Sequence, residues 1–175
     1  MHLGVNVPNF GWWAEPANFV ELARATEAAG WDGLFVWDHL LFADGVALAD
    51  PWVLLTAAAA ATDRIRLGPM VTPLPRRRPW EVARQTTTLD HLSGGRLVLG
   101  VGLVTPPETE FGWFGDVEDL AVRAEMLDES LDVIRGLWSG EPYAFSGRHY
   151  QLHDMTFQPV PVQQPRIPIW VAGGW

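Results

Sequence analysis

The sequence predicts an α/β fold in which parallel strands alternate with helices, and three observations carry that prediction. Short apolar runs such as Gly33-Leu34-Phe35-Val36-Trp37 and Leu97-Val98-Leu99-Gly100-Val101 lack the polar alternation of a half-exposed strand, as expected where helices cover both faces of a parallel sheet. Between these runs lie stretches with apolar residues at helical spacing, opened by a proline or a capping residue and closed by glycine. The links are short, which is the rhythm of β-α units.

The elements follow in order. Leu3-Gly4-Val5-Asn6-Val7 is a first strand, and Pro8 to Trp13 a loop. Pro16 opens a helix whose stripe is Phe19, Leu22, Ala23, Thr26 and Ala29, with Gly30 as its stop. The strand at 33–37 ends on Asp38-His39. Asp50-Pro51 is an N-cap with proline behind it, opening an alanine-rich helix over 51–62 that suits close packing. Arg66 to Val71 reads as a third strand, although its internal Pro69 implies a distorted ladder or bulge. Pro79-Trp80 opens a third helix carried by Val82, Thr86, Leu89 and Leu92, and Gly94-Gly95 closes it. Arg96 to Gly102 is the clearest buried strand. A loop over 103–119 holds Phe111, Trp113 and Phe114, and a fourth helix runs over 120–138. Alternation around Ser146-Gly147 predicts a small hairpin over 143–152. A proline-studded linker then leads to a fifth strand, Ile169-Trp170-Val171-Ala172.

The chain has 175 residues, 48% of them hydrophobic and 19% charged, which is enough for one domain, 1–175, with a substantial core. A net charge of −9 argues against a nucleic acid or an anionic membrane as partner. The absence of cysteine excludes disulfides, thiolate metal sites and thiol catalysis. No signal segment and no apolar run near the roughly 20 residues of a membrane span are seen, so a cytoplasmic location is expected. No ligand-type residues recur at metal spacing, so no metal is expected.

Five parallel strands with right-handed crossovers suit either an open doubly wound sheet or the first part of a (β/α)8 barrel. In both, ligands bind at the carboxyl ends of the strands. Asp38 and His39 fall on that edge, where an imidazole able to titrate near neutrality can move a substrate proton. The simpler reading makes both of them caps of the following loop.

Several motifs together resemble the bacterial luciferase-like family. They are Leu3 to Phe10, Gly30-Trp31-Asp32-Gly33 with Trp37-Asp38-His39, Ile65-Arg66-Leu67-Gly68, Leu92-Ser93-Gly94-Gly95-Arg96-Leu97 with Gly100-Val101-Gly102, and Ile167-Pro168-Ile169-Trp170-Val171-Ala172-Gly173. The resemblance implies a TIM-barrel-like fold, incomplete, with about five of eight strands, a hairpin insertion before strand five and truncation at the C-terminus. It further implies a flavin- or deazaflavin-dependent oxidoreductase. Asp38-His39 match the Asp-His pair of the deazaflavin branch, with His39 facing the substrate as the catalytic residue and Asp38 beside the cofactor. Met70, Val71 and Thr72 match the strand-three region that touches the cofactor, where a cis peptide not involving proline shapes a bulge. Gly102 lies at the corresponding edge of strand four, and Gly173 and Gly174 match the first glycines of the phosphate grip. Thr105 stands where the sugar-phosphate dehydrogenases of this family carry a catalytic glutamate, with Glu108 and Glu110 out of register. Arg76-Arg77-Arg78 read as a solvated loop, although they suit an anionic cofactor tail. Trp12, Trp37, Trp113 and Trp170 are candidates to wall a flat ring.

The implied activity is hydride transfer with coenzyme F420, to or from a small organic substrate. The alternatives are a monooxygenase using flavin mononucleotide (FMN) and O2, and a flavin-binding or inactive fragment without turnover. Relatives pair through early helices and the sheet edges would be open, so a homodimer or higher self-association is expected.

Overall fold

The computed structural model describes residues 1–173. Strands β1 (Gly4–Val7) and β2 (Gly33–Val36) pair in parallel, and α1 (Pro16–Ala28) crosses between them. β2 pairs in parallel with β3 (Arg66–Pro69) after α2 (Pro51–Ala61). The third strand then breaks, as Pro69 led one to expect. The Met70–Val71 peptide is cis, within the triplet singled out above, and the chain resumes as β4 (Thr72–Pro73), which pairs with β5 (Leu99–Gly102) rather than with β2. Leu67 and Leu97 bridge the two halves. At this crossing the backbones come so close that a Cβ on Gly68 would collide with the Val98 carbonyl. β5 follows α3 (Pro79–Ser93). A short helix, α4 (Pro107–Glu110), stands in the loop over 103–119. Helix α5 (Leu120–Trp138) and a hairpin of β6 (Tyr143–Ser146) and β7 (Gln151–Met155) precede β8 (Ile169–Val171), which pairs in parallel with β5.

The result is five parallel β-α strands, the third in two pieces, curved as an incomplete barrel. Alternation sorts their side chains into two faces. Leu34, Val36, Leu67, Leu97, Leu99 and Val101 turn outward and are buried against Phe19 and Ala23 of α1, Leu54, Leu55 and Ala58 of α2, Val82 and Ala83 of α3, and Val133 and Ile134 of α5. Gly4, Asn6, Phe35, Arg66, Met70 and Trp170 line the concave face, a groove of about 750 Å³. The alanines of α2 keep it close to the sheet, and Asp50 caps it by accepting from the Val53 N–H at 2.9 Å.

The hairpin is anchored from α5, where the Glu129 carboxylate accepts the backbone N–H groups of Arg148, His149 and Tyr150 at 2.6, 2.9 and 3.1 Å. Among the described residues, no helix is long and apolar enough to cross a membrane.

Candidate active site

The site stands at the carboxyl ends of β2 and β4. Leaving the apolar β2, the chain meets Trp37, Asp38 and His39. Asp38 is buried, with its side chain 1% exposed, and such a carboxylate must be paired. Two guanidinium groups meet it. Arg76 donates to Oδ1 at 2.6 Å and to the Asp38 carbonyl at 2.8 Å. Arg77 donates to Oδ1 and Oδ2 at 2.9 and 2.8 Å through its Nη2, and to Oδ2 at 3.1 Å through its Nε. Thr72, also buried, donates its hydroxyl to Oδ2 and accepts from Arg77 Nε at 3.1 Å. Arg77 lies over the Trp52 ring, 5.9 Å from its centroid.

Arg76 has a second partner. Its Nη1 donates to Oε2 of Glu110, whose side chain is fully buried. The other oxygen of Glu110 lies 2.6 Å from His39 Nδ1, and the Leu40 N–H donates to Oε2 at 3.2 Å. As the ion-pair partner of Arg76, Glu110 is a carboxylate and can only accept. Nδ1 of His39 therefore carries a hydrogen, and in the neutral ring Nε2 presents a lone pair. Among the described residues Nε2 has no hydrogen-bond partner. The site is thus a chain of contacts from Arg77 through Asp38, Arg76 and Glu110 to an imidazole oriented with its basic nitrogen outward.

The surroundings hold this chain in place. Asn9, fully buried, donates to the His39 and Ala49 carbonyls at 2.8 and 2.9 Å and accepts the His39 N–H at 3.3 Å, fixing both ends of the 39–49 loop. Arg123 of α5 supports the loop bearing Glu110: it donates to the Leu103 and Val104 carbonyls and lies 4.6 Å from the Phe111 ring centroid. Burial pushes its guanidinium pKa down, against the carboxylates of Asp119, Glu108 and Glu118. Val104 takes a left-handed backbone, with φ at 49°, which is unfavourable for a β-branched residue and is held by the Arg123 bond to its carbonyl. Around His39 stand Trp37 and Phe42, each with its centroid 5.6 Å from the imidazole, and Phe10 at 6.2 Å.

Of the candidate residues, Asp38, His39 and Thr72 come together. Both oxygens of Asp38 and the hydroxyl of Thr72 are engaged inside the network. Met70 and Val71 are half-buried at the strand break, and Gly102 lies beside them: a Cβ there would meet Val71 Cγ2 at 2.7 Å and Ala172 Cβ at 3.4 Å. This small, apolar floor could take the face of a flat ring. Gly173 is exposed with open space about it, and Gly174 lies outside the described residues.

One expectation is corrected here, and one residue is added. Arg76 and Arg77 do not belong to a solvated loop, since their side chains are only 5% and 20% exposed and neutralise two buried carboxylates. Glu110, out of register in the sequence with the family's glutamate position, nevertheless reaches the site, against His39 and Arg76. One helical turn, α4, swings it under His39, while Glu108 in the same turn is exposed. The aromatic wall also differs. Trp37 belongs to it, with Phe10 and Phe42, which sequence reasoning missed. Trp170 lies on the concave face against Phe35, with ring centroids 5.3 Å apart. The signal for Glu110 was its place at the edge of an apolar stretch, immediately before the buried Phe111.

The profile of the luciferase-like monooxygenase family, whose motifs the sequence resembles, matches residues 1–174. Among relatives, 4-hydroxyprotoasukamycin monooxygenase of Streptomyces nodosus subsp. asukaensis is 35% identical over 166 residues, covering 94% of this chain and 43% of the relative. Among solved structures, monooxygenase RslO1 of Streptomyces bottropensis superposes with a TM-score of 0.85 at 28% identity, over 98% of this chain and 53% of that one. An F420-dependent secondary alcohol dehydrogenase, in complex with an F420-acetone adduct, superposes with a TM-score of 0.86 at 27% identity, over 98% and 52%. The chain spans about half the length of the proteins it matches.

Proposed function

We propose that this chain, which belongs to the luciferase-like monooxygenase family, carries the proton-transfer half of a two-electron oxidoreductase site that works with the deazaflavin coenzyme F420. The observation that carries the reading is the Arg76–Glu110–His39 chain, which leaves one basic imidazole nitrogen facing outward at the edge where α/β folds bind ligands. Bound F420 would supply the hydride acceptor or donor, and Met70, Val71 and Gly102 are the residues proposed to hold its ring. The protein's part is then the proton. With the hydride taken up by that cofactor, His39 Nε2 would accept the hydroxyl proton of an alcohol as it becomes a ketone, and would return it in the reverse direction. Glu110 stabilises the imidazolium so formed and fixes its tautomer. Because both Asp38 oxygens are engaged by Thr72, Arg76 and Arg77, its proposed role is to position Arg76 and Arg77 beside the cofactor. Oxidoreductase chemistry is common to the family; F420 and an alcohol-type substrate are specific to this proposal.

The test is a titration of the purified chain with F420 and, separately, with FMN, followed by quenching of tryptophan fluorescence. Saturable F420 binding, with bleaching of the cofactor on addition of an alcohol, is the expected result. His39→Ala should keep the binding and lose about 10²–10⁴ in turnover. Binding of FMN with oxygen consumption would replace this reading with a monooxygenase. A folded chain that binds neither cofactor would end the catalytic reading for these residues.

A further inference from the structure

We infer that Arg123 is a positioning residue for proton transfer at His39: its guanidinium clamps the loop over 103–119 and so delivers Glu110 to the imidazole. This role rests on the reading of His39 as the proton-transferring group and adds a residue from a separate element, α5. Arg123 is buried, and its side-chain hydrogen bonds among the described residues run only from Nη1 to the carbonyls of Leu103 and Val104. Its buried Nε has no partner. Arg96 is the useful contrast, because its Nε, Nη1 and Nη2 all donate, to four backbone carbonyls and the Thr62 hydroxyl. As a tie between backbone segments Arg123 is therefore incomplete, and a guanidinium taken out of water with so few bonds is costly. Its place and its charge account for it.

The place is central to the loop. Leu103 and Val104 open the loop, and the Phe111 ring, with its centroid 4.6 Å from the guanidinium carbon, directly follows Glu110. Asp119, which caps α5 by accepting the Val122 N–H at 2.9 Å, closes it. The charge matches the loop as well. Residues 103–119 include Glu108, Glu110, Asp116, Glu118 and Asp119 but no lysine or arginine. Arg76 neutralises Glu110 from below, while Asp119, Glu108 and Glu118 act on the Arg123 charge from the loop itself. Val104 is the weak point of the clamp, since its backbone at φ 49° is held against its own preference. Released from Arg123 it relaxes, the start of the loop shifts, and Glu110 withdraws from its 2.6 Å contact with His39.

The test reads the imidazole in the chain without cofactor, so its outcome is separate from whether His39 supports turnover. The chain is labelled with ¹⁵N-histidine, and the His39 signals are identified by their loss in His39→Ala. Arg123→Gln keeps an N–H donor and drops the charge. Its ratio of Nδ1–H to Nε2–H at His39 should fall about tenfold, in the direction expected of Glu110→Gln. Arg123→Lys keeps the charge and should fall less. Adding Val104→Gly to Arg123→Lys should restore part of the ratio, because glycine takes the left-handed backbone without cost. Arg96→Met, at the opposite end of the sheet, should leave the ratio as in the parent. An unchanged ratio in folded Arg123→Gln overturns the inference; if circular dichroism shows that variant unfolded, an unchanged ratio in Arg123→Lys does so. A shift in Arg96→Met as large as that of the Arg123 variants also overturns it, since Arg123 would then be one stabilising residue among others. In each case the turnover of His39→Ala remains the separate test of His39 itself.

Discussion

The two ends of the sheet use charge in opposite ways. At the amino end, charge is spent on backbone. Arg96 donates to the carbonyls of Ala59, Thr62, Ile65 and Ser93 at 2.9, 2.8, 3.0 and 2.6 Å, and burial pushes its guanidinium pKa down. Glu27 accepts the N–H groups of Arg64 and Ile65 at 2.6 and 3.0 Å and that of Asp63 at 3.1 Å. Together they tie the connection between α2 and β3 from both sides, with nothing left over. At the carboxyl end, charge is spent on charge. Asp38, Glu110, Arg76 and Arg77 satisfy one another, and the chain of contacts ends on an imidazole whose second nitrogen is unspent. The difference teaches how to tell scaffold from chemistry. A charge that completes a backbone turn explains itself, whereas a neutral, buried cluster of four charges that orients a fifth, titratable group calls for a function.

The contrast can be broken by removing one charge at each end. Arg76→Met strands the buried Glu110 carboxylate and takes one of two guanidinium partners from Asp38, and should lose about 3–5 kcal/mol of stability in urea unfolding. Combining it with Glu110→Gln should recover part of that loss, because one stranded charge goes with it. Arg96→Met leaves carbonyls rather than charges without partners and should lose about 1–3 kcal/mol. If Arg96→Met proved the more damaging, the distinction between the two ends would fail. Glu110→Gln alone sharpens the functional side. The expected loss is about 1–2 kcal/mol, and ¹⁵N spectra should show the bias of His39 toward hydrogen on Nδ1 weakened.

The smallest effect belongs to Glu27 and shows only through pH. Burial pushes its carboxyl up, but the backbone N–H groups of Asp63, Ile65 and Arg64 and the Arg64 charge outweigh it, leaving it below its ordinary 4.5. A depressed carboxyl contributes stability that is complete above the ordinary value and is lost as the pH falls through the folded-state value. The parent chain should therefore lose a slight advantage over Glu27→Gln as urea unfolding is carried down from pH 6 through this range, with the difference level above it.

The strands and helices were legible because their information is local. Leu34 and Val36 or Leu97 and Leu99 are apolar whatever they meet, and Asp50-Pro51 caps a helix with its own side chain. The break at Met70–Val71 was legible as a tension, a proline inside an apolar run, but not its result, a strand that changes partner between Pro69 and Thr72. Asp38 and His39 were legible by position at a strand end. Their partners were not. Glu110 lies 71 residues from His39, and Arg76 lies 38 from Asp38.

The sequence by itself determined the β-α order, the outward apolar face and the edge on which the polar pair sits, since each follows from side-chain periodicity and backbone propensity within a few residues. Only the tertiary structure decided what those polar residues do. Arg76-Arg77 and Glu110 look like surface charges in the chain because ionised groups ordinarily remain in water. Desolvation under the loop over 103–119 makes pairing obligatory, and the partners available there are set by how distant segments pack.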